Sequence, residues 1–446
     1  MKNSKKITRR EFVGTSAMAL MATMPGLAMI QPSDNAIKLA ESYRDELTAL
    51  LKELIRVRSI SGEPATEAQA VVKAYLAKLP YRIEESADRP GLYESHPEFM
   101  PPDPPSDGPF VNVVGWPKKF THRQFAMFSH IDTHIIEEGW QTDPFDPKMV
   151  GTRLYGLGTS DDKGGVAAML VAAKALAKAD IALPVVMSLH GKGGGSRGSL
   201  PVFERISKTN HTIGGVLYVH PAETGRGLDD IKNAVQGILD LQLTVTGWRG
   251  EPMEVGSIDS AAWEDGGNAV DVCWQLINHL RDSVFKGVNV NVGIMNGGDR
   301  IGSVADKAVL TFRLKFEGDY TWAKLLADAK EQIAEHLKTI PASENAYKVS
   351  LDTIGYRTNP GAASWNAEKS KILRQAIRDI TGKNPNAYPN HYAGDIRYPI
   401  RLLDVPAYGI GSLGGNFYGS NEWVDMDDLV RLVAVLIQTI TNWQKL

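Results

Sequence analysis

Two short stretches hold residues whose types and spacing could do metal or acid–base chemistry. In FSHIDTH, His130 ends an apolar run and Asp132 follows two residues later. A carboxylate there can accept the second ring N–H and fix which nitrogen of His130 stays free. Taken alone, His-x-Asp more often marks a buried, satisfied histidine than a ligand. The second stretch, GLGTSDDKGG, sets Asp161 in a glycine-rich turn that opens a helix. A carboxylate in such a turn can bridge metal ions while close packing holds its backbone.

The elements around these motifs follow from apolar spacing. Residues 36–57 predict one amphipathic helix, with Leu47, Leu50, Leu51, Leu54 and Ile55 on one face. A second helix, capped by Thr66, comes next, and a proline-rich stretch over 88–109 predicts a loop over the body. VNVVGW, FAMFSHID, GGVAAMLVAAKALAKA and VVMSLHG then alternate strands with a helix, the rhythm of a mainly parallel sheet covered by helices. From Gly237 the order becomes β-α-β-β-α-β, a ferredoxin-like plait. VPAYGIG and DDLVRLVAVLIQTITNW return the chain to the first sheet. The expected architecture is an α/β domain over 36–236 and 354–446 with an inserted plait over 237–353.

The bulk properties narrow the function classes. A chain of 446 residues suggests two or three domains, and a net charge of −3 gives no basic surplus for nucleic acid. The single cysteine, Cys273, forbids an intramolecular disulfide and a cysteine-built metal cluster, and reads as a small buried side chain in a helix. Arg9 and Arg10 precede Phe12 and a modest apolar run, as in a twin-arginine export signal, with cleavage expected after Ala28. The mature protein is therefore expected to be periplasmic, with no integral membrane segment and no nearby cysteine to carry a lipid.

The two motifs at this separation, with WQTDPF and YGIG, resemble the family of acetylornithine deacetylase, succinyl-diaminopimelate desuccinylase and aminoacylase. That resemblance runs from about residue 40 to the C-terminus. It implies a zinc-aminopeptidase-like fold and a lid or dimerisation role for the plait. It also implies two zinc ions bridged by an aspartate and a water, and a glutamate as general base. His130 and Asp161 match its ligands, and Asp132 its orienting carboxylate.

Other positions depart from the family pattern. In LHGKGGGSRGS, Lys192 stands at the general-base position and Gly193 at a second-metal ligand. Glu204 lies too far along the chain to replace them. In GVLYVHPAETG, His220 falls at the next ligand position, a substitution zinc accepts, with Glu223 an alternative. Tyr418 replaces the C-terminal ligand histidine, although Asn421 and Glu422 match, and Glu251 or Pro252 replaces the lid histidine. Asp395 and Arg397 are kept, and in the family that arginine can grip a substrate carboxylate or else make a structural ion pair. His134 and His391 also lie near motif positions.

Three readings follow. In the first, His130, Asp161 and His220 hold one zinc, Lys192 acts as base and Tyr418 donates to an oxyanion. In the second, the protein is a catalytically inactive subunit or binding protein that grips a small molecule or peptide through Arg397 and forms a homodimer or heteromer through the lid. The third is a conventional two-zinc hydrolase, which the residues at 192, 193 and 418 do not lead one to expect.

Overall fold

The computed structural model describes residues 32–119, 124–209, 212–249, 266–301, 303–341, 346–392 and 394–443. The expected export signal and the lid positions Glu251 and Pro252 lie outside the described residues. The first sheet receives β1 (Tyr81–Asp88), β2 (Phe110–Pro117), β3 (Gln124–His130), β4 (Val185–Leu189), β5 (Ile213–Val219) and β6 (Asp230–Lys232). The chain then builds a second sheet from β7 (Ala234–Thr246), β8 (Asn289–Gly297), β9 (Lys307–Phe316) and β10 (Lys348–Thr358). It returns to the first with β11 (Asn386–Tyr388) and β12 (Ala407–Ile410).

The first sheet has the order β1-β2-β4-β3-β5-β12-β6-β11. Its centre is parallel: β3 pairs that way with β4 and β5, and β12 with β5. Both faces are covered, so β3 reads as a continuous apolar run. Phe125 and Met127 enter one core with Leu54, Met169 and Leu432, while Ala126 and Phe128 enter the other with Phe203 and Tyr218. The parallel centre brings the C-terminal ends of β3 and β5 side by side, which places His130 and His220 together.

The second sheet has the order β8-β9-β7-β10 with antiparallel pairing, the ferredoxin-like arrangement expected from the sequence. Its strands run from Ala234 to Thr358, slightly beyond 237–353. In β9, Ala308, Leu310, Phe312, Leu314 and Phe316 alternate into a separate core against the helices Ala269–Asp282 and Trp322–Leu337. Cys273 is buried there. Asn268 and Thr321 cap these helices by accepting backbone N–H groups. The strand β8 forms an open edge, with Ile294 exposed.

Two local expectations change. The helix over 36–57 is divided into Pro32–Glu41 and Arg44–Arg56, because Ser42 Oγ donates to the Leu39 carbonyl and Tyr43 N to Ala40 O. Thr66 is the first residue of its helix, and Ala65, which offers no side-chain cap, precedes it. The proline-rich segment does not simply cover the body; it joins the body to the second sheet. Trp322 Nε1 donates to Pro97 O at 2.9 Å, Asn359 Nδ2 to Glu98 Oε1 at 2.9 Å, and the Tyr356 hydroxyl to Asp103 Oδ2 at 3.0 Å. Among the described residues no helix is long and apolar enough to cross a membrane.

Candidate metal and active site

His130, at the end of β3, is buried, and its Nδ1 lies 2.8 Å from the backbone carbonyl of Asp132. The carboxylate of Asp132 is farther from that nitrogen, at 3.5 Å, and accepts instead the backbone N–H groups of Gly191 and Lys192 at 2.8 and 3.1 Å. The orienting group expected at Asp132 is therefore chiefly its main chain, while its side chain pins the 191–192 turn.

Asp161 precedes the helix Lys163–Lys178, and Glu422 holds the turn by accepting N–H from Gly158, Ser160 and Asp161. Lys163 anchors the same turn by donating to the carbonyls of Leu54 and Val57. Asp161 Oδ1 lies 3.0 Å from His130 Nε2 and 3.2 Å from His220 Nε2. The three ligand atoms fall within 4.8 Å of one another, all on buried residues. Burial disfavours charge on His130, but Asp132 and Asp161 outweigh it and push the imidazole up to about 10. Burial and the neighbouring Lys232 ammonium instead push His220 down to about 3.

Lys192 donates its ammonium to the other oxygen of Asp161, Oδ2, and lies 4.0 Å from the centroid of the Tyr418 ring. Burial opposes its charge, yet Asp161, Glu223 and Glu422 more than offset that and raise its pKa. The lysine is therefore held as an ammonium, which removes the base role expected for it. At Gly193 no side chain fits: a Cβ would lie 2.3 Å from the Asp103 carbonyl oxygen, and φ is +72°. Gly193→Ala is accordingly expected to cost at least the roughly 1–3 kcal/mol of a strained left-handed residue, read as a lower thermal midpoint.

The Tyr418 hydroxyl donates to Glu223 Oε1 at 2.8 Å and so is committed to a carboxylate and not turned to an oxyanion. Glu223 also lies 3.4 Å from His391 Nε2 and 3.6 Å from His220 Nε2. Burial raises its pKa, but His391 outweighs burial and holds it well below the usual carboxylate range.

The expected substrate contact at Arg397 is not found. That side chain is fully buried and donates to the Gly194 carbonyl, so it fastens the 193–195 turn from behind. Asp395 is buried and accepts from Ser199 Oγ at 2.5 Å.

The cavity over His130 and His220 measures about 460 Å³ and is also lined by His134, His391, Lys192, Glu223 and Asp395 among others. Asp103, Lys232, Arg313 and Tyr356 also line it, none of them singled out from sequence. Arg313 is on the outward face of β9, aligned by two bonds to Asp240 and set 5.3 Å from the Tyr356 ring centroid. Its signal was available, since it is an arginine on the polar side of an alternating strand. Lys232 carried none.

The model of peptidase family M20/M25/M40 matches residues 126–442. This chain belongs to that family. The M20 chain is 24% identical over 410 residues to the succinyl-diaminopimelate desuccinylase of Gluconobacter oxydans, covering 89% of this chain and 98% of the relative. Its fold is shared with an aminopeptidase from Bacillus cereus at a TM-score of 0.63 and 16% identity, covering 89% and 98% of the two chains. A dinuclear metal-binding peptidase of the M20 family from Bacillus subtilis superimposes at a TM-score of 0.62 with 11% identity, over 91% and 99%. The resemblance read from the two motifs, and the zinc-peptidase-like body with its inserted plait, thus hold for the M20 chain.

Proposed function

We propose that this protein is an exported single-zinc amide hydrolase acting on a small carboxylate-bearing N-acyl amino acid or peptide. One observation carries the reading: His130 Nε2, Asp161 Oδ1 and His220 Nε2 converge at the cavity floor while the Lys192 ammonium takes Asp161 Oδ2. Two imidazoles and a carboxylate with an open position form a catalytic zinc set. Carbonyl oxygens behind both Nδ1 atoms, those of Asp132 and Pro221, can accept an Nδ1–H when Nε2 gives its lone pair to a metal. The corner a second ion would need is blocked, since Gly193 abuts Asp103, Tyr418 is bonded to Glu223, and Lys192 brings its own positive charge. We therefore assign one zinc and not two.

A zinc ion in this site would supply Lewis-acid polarisation of the amide carbonyl and a more acidic water. Glu223, ionised and steered by Tyr418 and His391, is the carboxylate placed to orient the attacking water by accepting its hydrogen bond. Lys192 sets a fixed positive charge beside the carbonyl oxygen as charge develops there. Arg313, reaching the cavity from β9, takes the carboxylate-anchoring role in place of Arg397.

The test is turnover of N-acetyl and N-succinyl amino acids and dipeptides by the zinc-loaded protein. Release of free amine supports the reading, and no release from any of them, with the ligands bound unchanged, supports the inactive binding protein instead. The commitment of Tyr418 to Glu223 is what favours that second reading.

Proton linkage gives a further expectation. Metal-free His130 holds a proton up to about pH 10, and a ligand imidazole must give it up. Zinc affinity should therefore rise with pH, by roughly tenfold per unit between about pH 6 and 9, measured by chelator competition. Export is tested by fusing residues 1–40 to a reporter that works only in the periplasm: Arg9→Lys with Arg10→Lys should abolish its signal. We further propose that two copies pair through the open edge at β8.

A further inference from the structure

The YGIG motif packs behind His220 and does not enter the cavity. A Cβ on Gly409 would lie 2.9 Å from Lys232 Cβ and 3.1 Å from its Cδ, and one on Gly411 would lie 2.3 Å from Pro221 N. The two glycines thus leave room for the stem of Lys232 and for the backbone of Pro221. Both of those groups meet the same atom: His220 Nδ1 lies 2.7 Å from the Pro221 carbonyl oxygen and 3.0 Å from Lys232 Nζ.

The two partners demand opposite tautomers. A carbonyl only accepts, so it requires a proton on Nδ1, whereas an ammonium only donates, so it requires the Nδ1 lone pair. With the proton on Nδ1, Nε2 offers its lone pair beside Asp161 Oδ1. With the proton on Nε2, the ring donates to Asp161 across 3.2 Å and cannot ligate a metal. Lys232 is fully buried on β6, and among the described residues no carboxylate lies within ion-pair distance of it. Its ammonium is 3.0 Å from His220 Nδ1.

We propose that Lys232 is a positioning residue that selects the Nε2–H tautomer of His220 in the metal-free protein and so weakens metal binding. The proposal rests on the reading of His220 as a ligand. On loading, the ring loses the Nε2 proton to solvent and gains one from solvent at Nδ1, which it donates to Pro221. Lys232, which burial already pushes down to about 8, gives up its acceptor. The site is then built to take metal only against this competition.

The test uses full-length protein labelled with ¹⁵N in its histidines, with His220 assigned by the signals lost in His220→Ala. Metal-free wild type should show His220 protonated on Nε2, and Lys232→Met should show it protonated on Nδ1. Methionine has a similar stem and suits the same channel, and the wild-type spectrum needs no variant at all. By chelator competition Lys232→Met should bind zinc roughly tenfold more tightly or better, the scale on which outer partners act on metal sites. An Nδ1–H tautomer in wild type, or equal or weaker zinc binding by a folded Lys232→Met, overturns the proposal. Unchanged zinc binding by His220→Ala instead overturns the ligand reading, while the metal-free tautomer still decides the role of Lys232.

Discussion

His220→Ala is expected to reduce bound zinc from one ion per chain to a trace and to abolish amide hydrolysis. Among the described residues the imidazole is one of three candidate ligand groups that converge on the cavity floor, and it is buried. A site left with His130 and Asp161 has too few protein ligands to hold zinc against water. The loss should exceed the roughly 10–100-fold that follows removal of an outer-shell partner. Elemental analysis of protein dialysed against metal-free buffer reads the effect directly. A variant that kept its zinc would point to Glu223 as the third ligand, since that carboxylate is the next group along the same loop, 3.6 Å from His220 Nε2.

Lys192→Met should produce the second large change, and it separates charge from metal binding. Removing the ammonium takes the partner from Asp161 Oδ2, while His130 still pairs with Oδ1 at 3.0 Å, so the cost should stay below the roughly 3–5 kcal/mol of a fully uncompensated buried charge. The metal-free variant should unfold at a lower temperature, and zinc should restore part of the loss because it binds only the folded state. Zinc content should stay at one ion. Turnover should drop by about 10²–10³, the scale on which one preorganised electrostatic contact acts on a developing oxyanion. The pH–rate profile should keep its shape, because Lys192 supplies charge and no titrating base. Loss of one limb of that profile would revive the base role, and undiminished turnover would end any role for the residue.

His130, Asp161 and His220 were legible as candidates because each stands at a local landmark: two strand ends and a helix start. The parallel pairing of β3 with β5, itself readable from continuous apolar runs, is what brings the two histidines together. Arg397 misled because a sequence position does not say which way a side chain points; here it turns behind the glycine turn to Gly194 O. Asp103, Arg313 and Tyr356 arrive from the proline-rich loop and the plait through contacts far apart in sequence. Gly193 shows the same limit in reverse. Its lack of a side chain was visible, but the reason, the Asp103 backbone lying against it, belongs to long-range packing. Lys232, in a short run that gives no periodic signal, could be found only by following what backs His220.

The proposed site pairs one metal ion with a built-in ammonium. Elemental mass spectrometry on protein purified without chelator is the decisive measurement. One zinc per chain is expected; two per chain, or none after zinc is supplied, would overturn the proposal.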